Sequence, residues 1–309
     1  MSKSWIPEQF FQRLDAIMSR QDRDEVIRRM DEPSPLVWRV NTLQAQRAMI
    51  LSQYPKLRAV ACLPEAVTGD AQALEQLRAE GLFDHGRLYQ QSLSSMLAVA
   101  ALDPGPDERI LDLCAAPGSK TSQIAARMQN TGMITAVEVV RARYYKLRSV
   151  LNLLGVLNTQ CLCLDGRRFQ SRDGLFDRVL VDAPCSSEGR FKRFVPKTFA
   201  YWSPRKIQEM VRKQRGLLLN ASRQLAPGGT MVYATCTFAP EENEGVVDWF
   251  LRKTSESFAL EPVIFDGIPV YPSVRQWGQR RFDERVAQCC RVLPGEMTEG
   301  FFIAKFRKD

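Results

Sequence analysis

The sequence predicts an α/β fold: a mostly parallel, doubly wound sheet preceded by a small N-terminal α+β domain. From about residue 92, short apolar strands alternate with long helical stretches, as expected of strand–helix units wound into a parallel sheet. Ahead of that point the elements are shorter and form a module of about ninety residues, which divides the chain into 1–90 and 91–309. Asp112, Glu138, Asp165 and Asp182 each stand at or just past the end of a successive expected strand. Ligands of doubly wound sheets bind beyond the carboxyl ends of the strands, so these four acids are expected along one crevice.

Taken in order, residues 5–30 carry Phe10, Phe11, Leu14, Ile17, Met18, Val26 and Ile27 at helical spacing, and Asp31-Glu32-Pro33-Ser34-Pro35 ends that region. Residues 36–40 read as a strand, 44–52 as a helix, 58–63 as a strand, 71–80 as a helix and 86–90 as a strand. In the larger part, strand 109–113 leads through a Pro-Gly turn into helix 119–129. Strand 134–138, helix 141–154, and strands 159–164 and 178–182 follow. After a long insertion come helix 204–225 and strand 230–234. Pro240 is expected to open a helix ending near Arg252, and 290–293 with 301–305 to form a closing hairpin.

Composition bounds the function classes. Of 309 residues, 45% are hydrophobic and 25% charged, which is ordinary for a globular protein. Lysines and arginines number 43 against 35 acids, a formal charge of +8 that suits a polyanionic partner. Trp5-Ile6-Pro7 leads into Gln9, Arg13 and Asp15 rather than an apolar run, so neither a cleavable signal nor a membrane span is expected. The eight cysteines have no disulfide-scaffold spacing and no CxxC pair, and with one histidine no metal site is expected. A reducing cytoplasm is the natural compartment.

The loop after the first large-domain strand reads Asp112-Leu-Cys-Ala-Ala-Pro-Gly-Ser-Lys-Thr121. It is not a phosphate-binding P-loop: Ser119 separates Gly118 from Lys120, and Leu113 stands where that loop needs its earlier glycine. The dinucleotide fingerprint is absent too. What remains is a small-residue loop that lets a ligand approach the backbone, with Glu138 set to hydrogen-bond the hydroxyls of a ribose. That combination fits an adenosine-containing ligand such as S-adenosylmethionine.

Two cysteines end adjacent strands, Cys185 in Asp182-Ala-Pro-Cys-Ser186 and Cys236 in Thr235-Cys-Thr237. A buried structural thiol is the bland reading of each. Together, facing an adenosine site, they point to thiol chemistry on a base. C5 of cytosine is too weak a nucleophile to attack a methyl sulfonium unaided. Addition of a thiolate at C6 makes C5 enamine-like, while a carboxyl group at N3 takes up the developing charge. A nucleophile, an N3 partner and a group for product release are needed, and Cys236, Asp182 and Cys185 supply them; the residues alone leave the two cysteines interchangeable.

Segments 112–121 (DLCAAPGSKT), 182–189 (DAPCSSEG) and 233–244 (YATCTFAPEENE) resemble the NOL1/NOP2/Sun family of RNA cytosine-C5 methyltransferases. Arg39-Val-Asn-Thr-Leu43, Gln91-Ser-Leu-Ser-Ser-Met96, Arg291-Val-Leu-Pro294 and Phe301-Phe-Ile-Ala304 extend the resemblance over most of the chain. It implies a Rossmann-like class I methyltransferase domain, S-adenosylmethionine as cofactor, and a ribosomal or transfer RNA substrate. It implies further that Cys114, Ala115, Ala116, Pro117, Gly118, Ser119, Lys120, Glu138, Asp165 and Asp182 line the cofactor site, with Asp165 near the adenine. Arg143 matches a family arginine in the helix after the second strand. The resemblance makes Cys236 the nucleophile and gives Cys185 to product release.

There are departures: Glu138 stands for a usual aspartate, Ser187 for a common glycine, and Glu299-Gly300 for a common Gly-Gly. Neither Ser187 nor Glu299 is expected to touch a reactive group. Glu241 and Glu242, following Pro240, read as acids favoured at a helix start. The basic and aromatic run 190–197 beside Cys185 reads equally as a solvated face or an RNA contact. The chain stops just after the closing hairpin, so target choice is expected to lie in residues 1–90, in that run, or in an accessory protein. Two other classes remain to be set against this one: a nucleotide-hydrolysing protein, and an RNA-binding assembly factor without catalysis.

Overall fold

A computed structural model describes residues 5–309. Helices α1 (Glu8–Asp15) and α2 (Arg20–Met30) open the chain. A four-stranded antiparallel sheet follows, in the order β2-β3-β1-β4: β1 (Val37–Val40), β2 (Arg58–Ala59), β3 (Ala66–Thr68) and β4 (Leu88–Gln90). The expected strand 58–63 is only the two residues of β2; a turn then returns the chain as β3, a hairpin too short for a period-two pattern to show. Helices α3 (Arg47–Gln53) and α4 (Ala71–Ala79) cover one face of this sheet, with Trp38, Val67, Ile50 and Leu77 in their common core. Its other face, through Val37 and Ala66, packs on helix α5 (Leu93–Leu102).

The large sheet has nine strands among the described residues. Its parallel part runs β7-β6-β5-β8-β9: β5 (Arg109–Asp112), β6 (Met133–Val137), β7 (Thr159–Leu162), β8 (Phe176–Asp182) and β9 (Leu225–Thr235). The chain therefore winds outward in both directions from β5, and the order reverses between β5 and β8. Along these strands the residues alternate between faces. Ile110, Leu180 and Val232 pack beneath α5 and α6 (Ser119–Arg127), while Leu111, Val181 and Tyr233 face the core that holds α8 (Pro204–Gln224). Helix α7 (Arg141–Leu153) lies beside α6, and α9 (Glu244–Lys253) beside α8.

The remaining strands are antiparallel: β10 (Phe258–Glu261), β11 (Val270–Tyr271), β14 (Cys290–Val292) and β15 (Phe301–Lys308); β12 (Gln276–Trp277) and β13 (Arg280–Arg281) form a separate ribbon. The expected closing hairpin is the β14–β15 pair, with Cys290 opposite Ile303, and β15 also joins β9. The first ninety residues do not share one core. Ile6, Phe10, Leu14, Val26 and Met30 of the opening helices join the cluster of the large sheet, where Phe10 meets Phe191 at 5.1 Å and Trp202 at 5.9 Å between ring centroids. Among the described residues no helix is long and apolar enough to cross a membrane.

Candidate active site

Three of the four acids assigned to strand ends, Glu138, Asp165 and Asp182, line one cleft, whereas Asp112 is buried beneath it. A cleft of about 540 Å³ opens over the carboxyl ends of the parallel strands and is lined by Cys114, Ala116, Glu138, Arg143, Asp165, Asp182, Cys185 and Cys236, among others. It sits where the strand order reverses, the place such a sheet offers a ligand. Ala115, Pro117, Gly118, Ser119 and Lys120 do not line it directly. They shape it from behind: Ala115 N–H donates to Val137 O at 3.0 Å, and Gly118 N–H to Ala115 O at 2.8 Å, curling the loop against β6. Gly118 has φ +109°, and a Cβ there would stand 3.1 Å from Leu147 and 3.2 Å from Val150, so glycine alone lets the loop turn into α6 against α7.

Each carboxylate is held differently. Glu138 is buried and accepts the Val140 N–H at 2.8 Å, with Arg143 Nη1 at 3.4 Å from its other oxygen. Arg143 also donates to Ala116 O at 2.6 Å, tying the second strand's acid to the loop of the first. Asp182 accepts from Lys120 Nζ at 2.6 Å, so Lys120 acts on the cleft through Asp182. Asp165 caps a short 3-10 turn and is clasped by Arg167, which holds its carboxyl below the usual range. Asp112 is buried beneath the loop, its Oδ2 accepting from Thr121 Oγ1 at 2.8 Å and its Oδ1 without a partner; burial pushes it up to about 7.

The two cysteines meet. Cys185 Sγ and Cys236 Sγ lie 3.3 Å apart in the wall of the cleft, both as free thiols. The hydrogen bond from Cys185, reinforced by the positive charge of Arg190 and by the Ser187 hydroxyl, outweighs burial and draws Cys236 down to about 7. Sharing that bond, together with burial, holds Cys185 well above the ordinary thiol range. The pair is therefore asymmetric, with Cys236 the more readily ionised. Cys114, the third cysteine of the cleft, is pushed up by burial and stays a thiol.

What fixes the pair is a reciprocal clasp that the sequence reading missed. Glu242, from the loop after Cys236, is fully buried and accepts the backbone N–H of Ser186, next to Cys185, at 3.0 Å; Gln214 of α8 donates to it at 2.8 Å. In the other direction Glu188, from the Cys185 loop, accepts from Thr237 Oγ1 at 3.0 Å and Phe238 N at 3.1 Å, beside Cys236, and from Trp202 Nε1 at 2.7 Å. Gly189 N–H donates to Cys236 O at 3.0 Å, and Gly189 lies so near Gly300 that a Cβ would come within 2.2 Å of its carbonyl oxygen. Burial, with Glu188 close by, pushes Glu242 up to about 8.

A family model described as 16S rRNA methyltransferase RsmB/F matches residues 99–307, two thirds of the chain. The chain belongs to that family. It is 42% identical over 229 residues to the tRNA (cytosine(49)-C(5))-methyltransferase of Pyrococcus abyssi, covering 72% of this chain and 71% of that relative. It is 35% identical over 316 residues to ribosomal RNA small subunit methyltransferase F of Cronobacter sakazakii, covering 98% of this chain but 63% of that protein. The crystal structure of a methyltransferase homologue from Pyrococcus horikoshii superimposes with a TM-score of 0.84 at 30% identity, over 98% of this chain and 96% of that one.

Several expectations about this RsmB/F-family chain need correction. Helix α9 begins at Glu244, not at Pro240, so Glu241 and Glu242 are not helix-start acids: Glu241 pairs with Arg13 at 2.6 Å, and Glu242 forms the clasp. Ser187 does touch the cysteine pair, its Oγ 3.6 Å from Cys236 Sγ. Glu299 reaches it indirectly, through an ion pair with Arg190 at 3.5 Å. The run 190–197 divides: Phe191 is buried against Phe10, and Lys192 donates to the carbonyls of Arg29 and Glu32 at 2.8 Å each, whereas Phe194 and Lys197 stand exposed.

Proposed function

We propose that this chain transfers a methyl group from S-adenosylmethionine to C5 of a cytosine in ribosomal or transfer RNA, through a covalent bond from Cys236 to C6. Family membership supports the reaction class. The observation that carries the mechanism is the 3.3 Å pair of free thiols, with Cys236 the more acidic, in one cleft with Asp182 and Glu138.

The cleft suits the cofactor. The Glu138 oxygen that faces Arg143 at 3.4 Å can also accept from a ribose hydroxyl, Asp112 carries a buried oxygen without a partner under the loop, and the small residues Ala115 and Ala116 leave room above it. Cys114, Ala116, Asp165 and Asp182 would complete the enclosure, with Ala115 and Pro117 to Lys120 supporting it and Arg143 steadying Glu138. Bound there, S-adenosylmethionine supplies an electrophilic methyl group on a sulfonium.

The chain's own residues then act on the base. Cys236 as thiolate adds to C6, forming the sulfur–carbon bond and breaking the C5–C6 π bond; the displaced pair makes C5 nucleophilic. Asp182 relays a proton from Lys120, 2.6 Å away, to N3 as charge develops there, and returns it when the base is released. After C5 is methylated its proton passes to solvent water as base, the electrons of that C–H bond re-form the C5–C6 double bond, and Cys236 leaves as thiolate with Cys185 assisting. The cytosine must be unstacked to expose C6 from the face of the ring. Residues 1–90 are assigned to seating the RNA, with Phe194 and Lys197 as contacts beside the cleft. Thiol chemistry of this kind suits a reducing cytoplasm.

The test is a transfer assay with methyl-labelled S-adenosylmethionine and total RNA from the source organism, followed by nucleoside analysis. Label in 5-methylcytosine that vanishes with Cys236→Ala supports the proposal. Label in any other nucleoside overturns it.

A further inference from the structure

We propose that Ser187 is a further catalytic residue, whose hydroxyl donates a hydrogen bond to the Cys236 thiolate when that thiolate attacks the base and again when it is expelled. The inference rests on Cys236 being the nucleophile. It begins from a backbone oddity: Ser187 holds φ +60°, ψ 29°, the left-handed region where a residue with a Cβ pays a conformational cost of about 1 kcal/mol. Glycine would relieve that cost. A serine there is explained if its side chain does something glycine cannot.

The side chain stands among the sulfurs. Ser187 Oγ is 3.6 Å from Cys236 Sγ and 3.9 Å from Cys185 Sγ. Among the described residues the hydroxyl also meets Cys185 O at 3.5 Å, the far limit for a bond between oxygens, whereas the larger sulfur makes 3.6 Å an effective contact. While Cys236 is a thiol, it donates to the serine. Once ionised it can only accept, and the hydroxyl turns to donate to it. A donor facing the charged form lowers a thiol's pKa and stabilises the sulfur both as entering nucleophile and as leaving group.

The other groups facing Cys236 do not replace it. Cys185, on the loop after β8, also donates, but the same thiol is the one assigned to product release. Asp182, at the end of β8, opposes ionisation. Arg190, on the turn after Ser187, favours it by charge alone while paired at 3.5 Å with Glu299 from the loop before β15. Glu242 and Glu188 are engaged in the clasp. Ser187 is thus the neutral donor that serves the thiolate without being consumed by another step.

The experiment is alkylation of the full chain by iodoacetamide across pH 5.5 to 9.5, with modification of the Cys236 peptide followed by mass spectrometry. The chain with Ser187 is compared with Ser187→Ala and Ser187→Gly. Neither RNA nor S-adenosylmethionine is needed, so the outcome is separable from the reaction itself, which the Cys236→Ala transfer assay judges. Cys236 ionises near pH 7 in the parent chain. Both variants are expected to move its midpoint upward by about half a pH unit or more, cutting alkylation at pH 7 roughly twofold or further. Profiles that superimpose on the parent overturn the proposal. So does a shift in Ser187→Gly without one in Ser187→Ala, which would make the backbone, not the hydroxyl, responsible.

Discussion

Replacing Glu242 by glutamine tests the clasp quantitatively. The carboxyl is fully buried and pushed up to about 8, against an ordinary value near 4.3. Between those values the folded chain holds a proton that the unfolded chain has released. The unfolded state then binds fewer protons, so stability falls as pH rises, by about 1.4 kcal/mol per unit, and levels off above the folded value. From pH 5 to pH 8 the loss is about 4 kcal/mol. In Glu242→Gln the side-chain amide keeps an acceptor for Ser186 N–H and has no proton to lose. Subtracting the two proteins cancels the titrating groups distant from this site, Asp112 among them. Urea unfolding followed by tryptophan fluorescence at pH 5, 6, 7 and 8 is expected to show the variant gaining steadily on the parent as pH rises. A stability difference independent of pH would refute the buried, protonated carboxyl on which this rests.

Other consequences are as direct. Arg291 meets Glu244 through two bonds of 2.6 Å in a fully buried pair, so Arg291→Met strands a charge and is expected to cost about 3–5 kcal/mol in urea unfolding, most of it recovered when Glu244→Leu is added. Phe10→Ala removes a ring packed on Phe191 and Trp202, and is expected to cost about 3–5 kcal/mol and to speed proteolytic cleavage within 190–203. Glu138→Ala deletes the buried carboxylate proposed to accept from the ribose; titration calorimetry is expected to show S-adenosylmethionine binding weakened by about 2 kcal/mol, roughly thirtyfold.

The parallel strands and the four acids at their ends were legible in the sequence because each is a local signal, an apolar run closed by a carboxylate. The closing hairpin was legible for the same reason. Helix α5 was not: nearly all its residues are buried, so it carries no amphipathic stripe to separate it from an apolar linker. The clasp was invisible for a different reason. Glu188 and Glu242 are far apart in the chain, and each becomes meaningful only when β8 and β9 pair and bring its loop over the other's cysteine. Ser187 could have been suspected as a departure from glycine, but its contact with Cys236 depends on the left-handed turn that aims it. The basic run stayed open between its two readings because charge and aromaticity in sequence do not say which side chains the opening helices will bury.

The most direct measurement is whether RNA becomes covalently attached to Cys236. With S-adenosylmethionine and substrate RNA, Cys185→Ala is expected to accumulate a protein–RNA adduct that survives denaturing electrophoresis, with a nucleotide mapped by mass spectrometry to the Cys236 peptide. The Cys236→Ala chain is expected to form none. An adduct on Cys185 in the Cys236→Ala protein, or methylation of cytosine by that protein, would contradict the assignment.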